Sequence, residues 1–391
     1  MSKLEELIQR YCPDGVEWKT LGELGSFYGG LSGKTKEDFK DGNAKFISYK
    51  NIYANPSINI NTDERVKIAE GEKQHTIQYG DILFTGSSET PDECGISSVL
   101  TEHTEEKLYL NSFCFGFRLN DRSLFCPDFL KHLFRSGDLR VQIGKTANGT
   151  TRFNVSKTRF ANVTIPIPPL PVQEEIVRIL DAFAELQAEL QAELQKRLQQ
   201  YNYYRDNLLS FEGRTDVEWK KLGEISKVCR GVRVVKSQLS NEGYPVYQNC
   251  LTPMGYYDKT NCPAGTPFVI CGGAAGNVGY ADVDWWAADD CEYIIGNVGL
   301  TNRYIYHCLM AKKDYLLSQV RKASIPRLSP SVIKDLEIPV PSLAEQQRIV
   351  DILDMFDSLT TDLTAGLPAE IEKRKLQYEY YRDKLLTFKR K

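Results

Sequence analysis

"IPIPPLPVQEEIVRILDAF" (residues 165–183) returns as "IPVPSLAEQQRIVDILDMF" (338–356). Each stretch opens on prolines that cannot lie inside a helix, then passes into apolar residues spaced three and four apart. Each therefore marks the entry into an amphipathic helix. Working outward, "VEWKTLGEL" (16–24) recurs as "VEWKKLGEI" (217–225), and "YNYYRDNLLSF" (201–211) recurs as "YEYYRDKLLTF" (378–388). The 391 residues form two copies of one module, and their length exceeds what a single core holds.

Between these matched ends the interiors, 25–150 and 226–323, show little similarity. A repeated frame with divergent content is what two different binding surfaces on a common scaffold would require. Short runs such as "AKFISY", "DILFTG", "FCFGFRL", "YPVYQN" and "TPFVICGG" read as strands broken by Gly, Asn and Pro. They are too irregular for a βαβ series, so the expected class is α+β: two globular domains joined by long helices.

From Val172 to Phe211 no Pro or Gly interrupts the helical pattern, which predicts one helix of about 40 residues, about 60 Å long. The second copy is interrupted by "AGLPAE", where Gly366 suits a C-terminal cap and Pro368 a first helical position, so two helices or a kinked one are expected. Long amphipathic helices need a partner, and an antiparallel coiled coil between the copies supplies one. The alternative is that each helix packs on its own domain.

The net charge is −3, but residues 161–216 alone carry 5 basic and 9 acidic groups, which leaves the globular parts neutral or basic. No apolar run is long enough for a membrane span, and the charged "MSKLEELIQR" start is unlike a signal peptide, so a cytoplasmic protein is expected. Ten scattered cysteines without a CxxC pair, and four unclustered histidines, favour reduced thiols over a zinc site or disulfide framework.

"PDGVEWK" (13–19) holds the letters of a nuclease motif, but two intervening residues are too few to bring its Asp and Glu round one metal. A strand entry anchored by Trp18, and by Trp219 in the repeat, is the better reading. "CGGAAGNVG" (271–279) lacks the Lys-Ser/Thr and helix of a phosphate loop, so a tight backbone turn is favoured over a cofactor loop. The positive signals are basic, amide-rich loops. Residues 144–159 carry Lys145, Arg152, Lys157 and Arg159 without an acid, and 318–329 carry Arg321, Lys322 and Arg327 without an acid. Residues 226–238 add Lys227, Arg230, Arg233 and Lys236. Such side chains displace counterions from phosphates and pair with base edges, although a solvated basic loop has the same composition.

The two VEWK tracts, "GDILFTGSSETPDECG" (80–95), "LYLNSFCFGFRL" (108–119), the two proline-to-helix tracts and the two YYRD tracts together resemble the specificity (S) subunit of type I restriction-modification systems. The resemblance implies a non-catalytic chain. Target recognition domains fall at 1–160 and 214–337, a central helical spacer at 161–213, and a C-terminal helical region at 338–391. Each recognition domain would read half of a split, asymmetric DNA site, and the coiled-coil spacer would dock two methyltransferase (M) subunits. S-adenosylmethionine, ATP and Mg2+ would then belong to the M and restriction (R) subunits, with no cofactor on this chain. No "NPPY"-type motif or Walker loop is present here. A stand-alone two-headed DNA-binding regulator, or an enzyme with unseen motifs, are the competing readings.

The implied DNA-reading residues are Ser87, Ser88, Lys145, Asn148, Thr150 and Arg152 in the first module. In the second they are Arg230, Arg233, Gly273, Asn277, Arg321, Lys322 and Arg327. Implied partner-binding residues are Gln173, Ile176, Leu180 and Tyr204, with Gln346, Ile349, Leu353 and Tyr381; for the apolar ones, burial within the helices competes. Within the long helix "AELQAELQAELQ" (184–195) repeats one unit three times, keeping Leu186, Leu190 and Leu194 on one face. The resemblance makes it an adjustable spacer between half-sites. The interval from Phe183 to Tyr201 is 18 residues and that from Phe356 to Tyr378 is 22, a difference of one such unit.

Overall fold

The computed structural model describes residues 2–361 and 366–391. They form two compact units, one of residues 1–189 and 372–391, the other of residues 190–371. Each unit thus takes its lobe and the helix entry that follows it from one repeat, and the end of a helix from the other. The cuts fall inside the helices, a different division from the four-segment one expected at 160, 213 and 337.

The first lobe is built on a four-stranded antiparallel sheet ordered Gly25–Gly29, Cys114–Leu119, Ile82–Thr85, Ser97–Val99. The second repeats that order with Ser226–Arg230, Cys291–Gly296, Thr266–Ile270, Val278–Ala281. All four residues of Ile82–Thr85 and all five of Thr266–Ile270 are buried, as central strands covered on both faces must be. The VEWK tracts form two-stranded ribbons with the proline tracts in one register, Trp18 opposite Pro166 and Trp219 opposite Pro339. Trp18 packs against the core of its lobe under the Arg390 guanidinium, whereas Trp219 is 43% exposed and anchors less than expected.

The helix foreseen from Val172 runs Leu170–Ser210, 41 residues, with Pro171 in its first turn where the missing N–H costs nothing. The second copy gives Leu343–Thr361 and Leu367–Leu385. Gly366 does its work at the start of the latter, its carbonyl accepting from the Glu370 N–H; the rest of the break, 362–365, lies outside the described residues. Val172, Ile176 and Leu180 are fully buried in the core of the first lobe, with Phe129 and Phe160. Ile349 and Leu353 are likewise buried in the core of the second. The first turns of both helices therefore pack on their own lobes. Farther along, Phe183 stacks on Tyr381 at 5.3 Å in the first unit and Phe356 on Tyr204 at 5.4 Å in the second.

"CGGAAGNVG" is a tight turn: it joins Thr266–Ile270 to Val278–Ala281 as a hairpin, with the Gly276 N–H donating to the Ile270 carbonyl. Gly273 sits there at φ +83°, and a Cβ at that position would meet Asn249 at 2.9 Å. All ten cysteines are free thiols. Among the described residues no His/Cys/Asp/Glu group is arranged to hold a metal, and no helix is long and apolar enough to cross a membrane.

Candidate nucleic-acid interface

The two basic loops occupy equivalent places. In the first lobe Ala147–Asn148 pairs with Phe153–Val155, which pairs in turn with Ser87–Ser88 just beyond the central strand. In the second, Arg321 pairs with Arg327, and Arg327 with Gly272 just beyond the corresponding strand. Both loops are thus hairpins closed on the rigid sheet, with exposed tips. The separation of 65 residues between Ser87 and Arg152 is spanned by the sheet, and the Arg152 Nη2 and Nε donate to Ser87 Oγ at 3.0 and 3.2 Å.

Beside each hairpin lies a cleft of about 610 Å³. The first is lined by Tyr49, Tyr53, Ser87, Ser88, Glu93, Asn111, Phe113 and Arg152. Glu93 accepts from the Tyr53, Thr90 and Ser88 hydroxyls, and these bonds, Tyr53's foremost, hold its carboxyl below the usual range. Tyr49 stacks on Tyr53 at 6.2 Å and donates to the Ser87 carbonyl. The cleft presents planar rings, an amide and a guanidinium, groups that suit nucleobase edges and faces.

The second cleft is lined by Arg230, Asp289, Asp290, Glu292, Arg321, Ile325 and Arg327 among others. It is not the uncompensated basic patch expected from the loop sequence: Arg327 pairs with Asp290 at 2.8 Å, and Arg230 donates to the Asp289 carbonyl. Burial raises the Glu292 carboxyl above its ordinary value, with Arg230 opposing. Guanidinium and carboxylate together offer donors and acceptors, which discriminate bases more finely than positive charge alone.

The geometry sorts the remaining expected residues. Ser87 is buried and orients Arg152, while Ser88 and Arg152 face the first cleft. Thr150 is exposed at the hairpin tip; Lys145 is exposed at the end of the helix Gly137–Gly144; Asn148 is exposed and accepts from Arg159. Arg230, Arg321 and Arg327 face the second cleft. Gly273 supports it from behind through the Pro326 carbonyl, and Asn277 donates within its own turn. Arg233 and Lys322 are exposed outside the cleft lining.

The partner-binding expectation needs correction for six residues. Gln173, Ile176, Leu180, Gln346, Ile349 and Leu353 are all at 0% exposure, which leaves no surface to offer another chain. Gln173 accepts from the Cys126 N–H and donates to the Leu124 and Pro168 carbonyls. Gln346 does the same with Thr301, Gly299 and Pro341. Tyr204 and Tyr381 keep partial exposure. Their neighbours in the same YYRD tracts, Tyr203 and Tyr380, are more exposed, at 66% and 60%.

Sequence reasoning also missed Tyr49, Tyr53, Asn111 and Phe113. Phe113 follows the Asn-Ser pair that breaks an apolar run, and that break was its one visible signal.

Comparison with known proteins places residues 13–200 and 215–373 under the model for the type I restriction modification DNA specificity domain. The specificity subunit of the EcoR124I/EcoR124II type I restriction enzyme of Escherichia coli is 36% identical over 265 residues, 59% of this chain and 65% of that one. A putative type I specificity subunit of Mycoplasma pneumoniae is 32% identical over 245 residues, 59% of this chain and 99% of that one. The crystal structure of the type I S subunit from M. genitalium matches over 96% of this chain and 97% of that one with a TM-score of 0.61 at 17% identity, a likeness of fold. A structure from work on complex assembly and conformational transition of the type I system matches over 96% and 98% with a TM-score of 0.57 at 19% identity.

Proposed function

Because the chain belongs to the type I restriction-modification DNA specificity family, we propose that it reads a bipartite, asymmetric DNA site, one half with each lobe, on behalf of a methyltransferase and restriction assembly. The observation that carries this reading is the pair of equivalently placed hairpins, 147–155 and 321–327, closed on matching strands yet presenting different chemistry. A common frame with unlike clefts is what two unlike half-sites demand. The reading assigns adenine methylation from S-adenosylmethionine to two M subunits, and ATP- and Mg2+-dependent translocation and cleavage to R subunits. In each unit taken by itself, exposed aromatic residues near a helix end, Tyr380 in the first and Tyr203 with Tyr204 in the second, support a docking role for the helix ends, since large aromatic groups are enriched where proteins associate.

Mapping methylated adenines in DNA from cells with and without this chain tests the reading. A split motif that appears only with the chain is expected. Adenine methyl transfer by the purified chain alone would overturn it, as would tight sequence-specific binding by a chain that assembles with no M-type partner.

A further inference from the structure

In the first cleft Phe113 is 63% exposed, an unusual placement for a large apolar ring. It is not the loose tip of a flexible loop. Its N–H donates to Asn111 Oδ1 at 2.9 Å and its carbonyl accepts from the Gly86 N–H at 2.9 Å. A Cβ on Gly86 would lie 2.5 Å from that carbonyl, so glycine is what lets the two segments close. The ring is therefore held outward by a pinned backbone. The Arg152 guanidinium stands 6.0 Å from its centroid and is itself tethered to Ser87. Exposed Lys145, Lys157 and Arg159 surround the same hairpin.

The cations of the hairpin favour a polyanion, although Glu89 and Glu93 also line the cleft, and an arginine in a rigid cleft selects guanine O6 and N7. Among the groups that duplex DNA displays in its major groove, the apolar one is the thymine 5-methyl. We propose that Phe113 is a specificity-determining residue of the first lobe, its ring contacting the 5-methyl group of a thymine beside the base that Arg152 reads. This rests on the reading of the chain as a DNA-recognition subunit, and it adds a chemical identity to one position of one half-site. A thymine contact, rather than a wedge between base steps, fits a ring set beside Arg152 in a cleft walled by Tyr49 and Tyr53, because wedging side chains enter from the minor groove.

The test uses the full chain in the assembly that carries it, first to select bound duplexes from a randomised library, then to scan each selected thymine with deoxyuridine, which lacks only the methyl group. One thymine in one half-site should lose about fourfold in affinity on that replacement, the equivalent of one buried methyl at ~0.8 kcal/mol. Phe113→Ala should bind thymine and uracil equally at that position while leaving the other half-site unchanged. Phe113→Leu, which keeps an apolar contact, should retain part of the preference. Because the side chain is exposed, circular dichroism and melting of both variants should match the parent. Equal binding of thymine and uracil throughout overturns the inference, as does an undiminished preference in Phe113→Ala. Weaker binding by Phe113→Ala with no thymine preference in the parent assigns the ring to wedging instead, and overturns it too. Failure to select any duplex sinks the DNA-recognition reading itself and the inference with it, an outcome distinct from selection without methyl sensitivity.

Discussion

His132 Nε2 lies 2.7 Å from Asp181 Oδ1, tying the helix Pro127–Leu133 of the first lobe to the long helix. A neutral imidazole that donates there can accept at Nδ1, and the Tyr378 hydroxyl stands 2.9 Å away to donate. The second lobe repeats the tie, His307 Nε2 to Asp354 Oδ1 at 2.7 Å, with Arg303 on the same carboxylate. The repeated frame thus holds each lobe to its helix with a buried histidine and a half-buried aspartate.

Acidification should loosen the first of these ties. Burial pushes the His132 imidazole below its ordinary 6.5, with the Asp181 bond opposing. The unfolded chain takes up a proton near pH 6.5 while the folded one resists, so this contribution is complete above 6.5 and declines as the pH falls below it. Urea unfolding followed between about pH 7.5 and about 5.5 should show the decline, and His132→Gln, which removes the titrating group, should make it shallower.

The tyrosines at equivalent places in the two repeats, Tyr378 and Tyr201, should behave differently. Tyr378→Phe removes the donor to His132 Nδ1 and should destabilise the first unit by about 1–3 kcal/mol. In the second unit the corresponding Tyr201 hydroxyl and His307 Nδ1 are buried without a protein hydrogen-bond partner among the described residues, so Tyr201→Phe should cost clearly less. Chemical denaturation of the two single variants against the parent decides this.

Gln173 and Gln346 should act as structural pins. Each satisfies one backbone N–H and two backbone carbonyls where the chain turns into its helix. Gln173→Leu and Gln346→Leu should each destabilise their own unit by at least about 1–3 kcal/mol, the cost of leaving a buried backbone group unpaired. A pair of melting curves showing no loss for either would overturn the structural role to which burial reassigns these residues.

That reassignment shows where sequence legibility ended. The repeats, the 41-residue helix and the strand runs could be read because proline, glycine and apolar spacing act locally. Periodicity says that Ile176 and Leu180 face something, but not whether that something is another chain or their own lobe. The charge of Arg327 is paired by Asp290, 37 residues away, so counting charge within a loop misjudged the second cleft. Phe113 stayed hidden in an apolar run because exposure is a property of the folded sheet.

Base reading and phosphate attraction should separate by mutation. Arg152→Ala and Arg321→Ala should each weaken binding by about 1–3 kcal/mol per lost base contact and relax the sequence preference in one half-site only. Lys145→Ala, exposed and outside the cleft lining, should weaken all duplexes alike and reduce the salt slope by about one. Fluorescence anisotropy over a range of salt, on matched and half-mismatched duplexes, distinguishes the two behaviours. No change in affinity or slope would remove these hairpins from the interface.

The threefold AELQ tract makes the last prediction. It lies wholly within the uninterrupted helix Leu170–Ser210, with Leu186, Leu190 and Leu194 half-buried along it. One unit of four residues adds about 6 Å of rise and about 40° of rotation, so a deletion of one unit keeps the leucines on one drifting face and leaves the helix continuous. At about 3.4 Å per base pair, 6 Å corresponds to at most about two base pairs. Deleting residues 188–191 should therefore shorten the unread gap between half-sites by up to that amount while both half-sites stay the same. The altered gap would be visible in the methylated-adenine motif of cells carrying the deletion. An intact assembly that methylates the parent motif would show that helix length does not set the gap. A change within either half-site would mean that the lobes do not read independently of the helix between them.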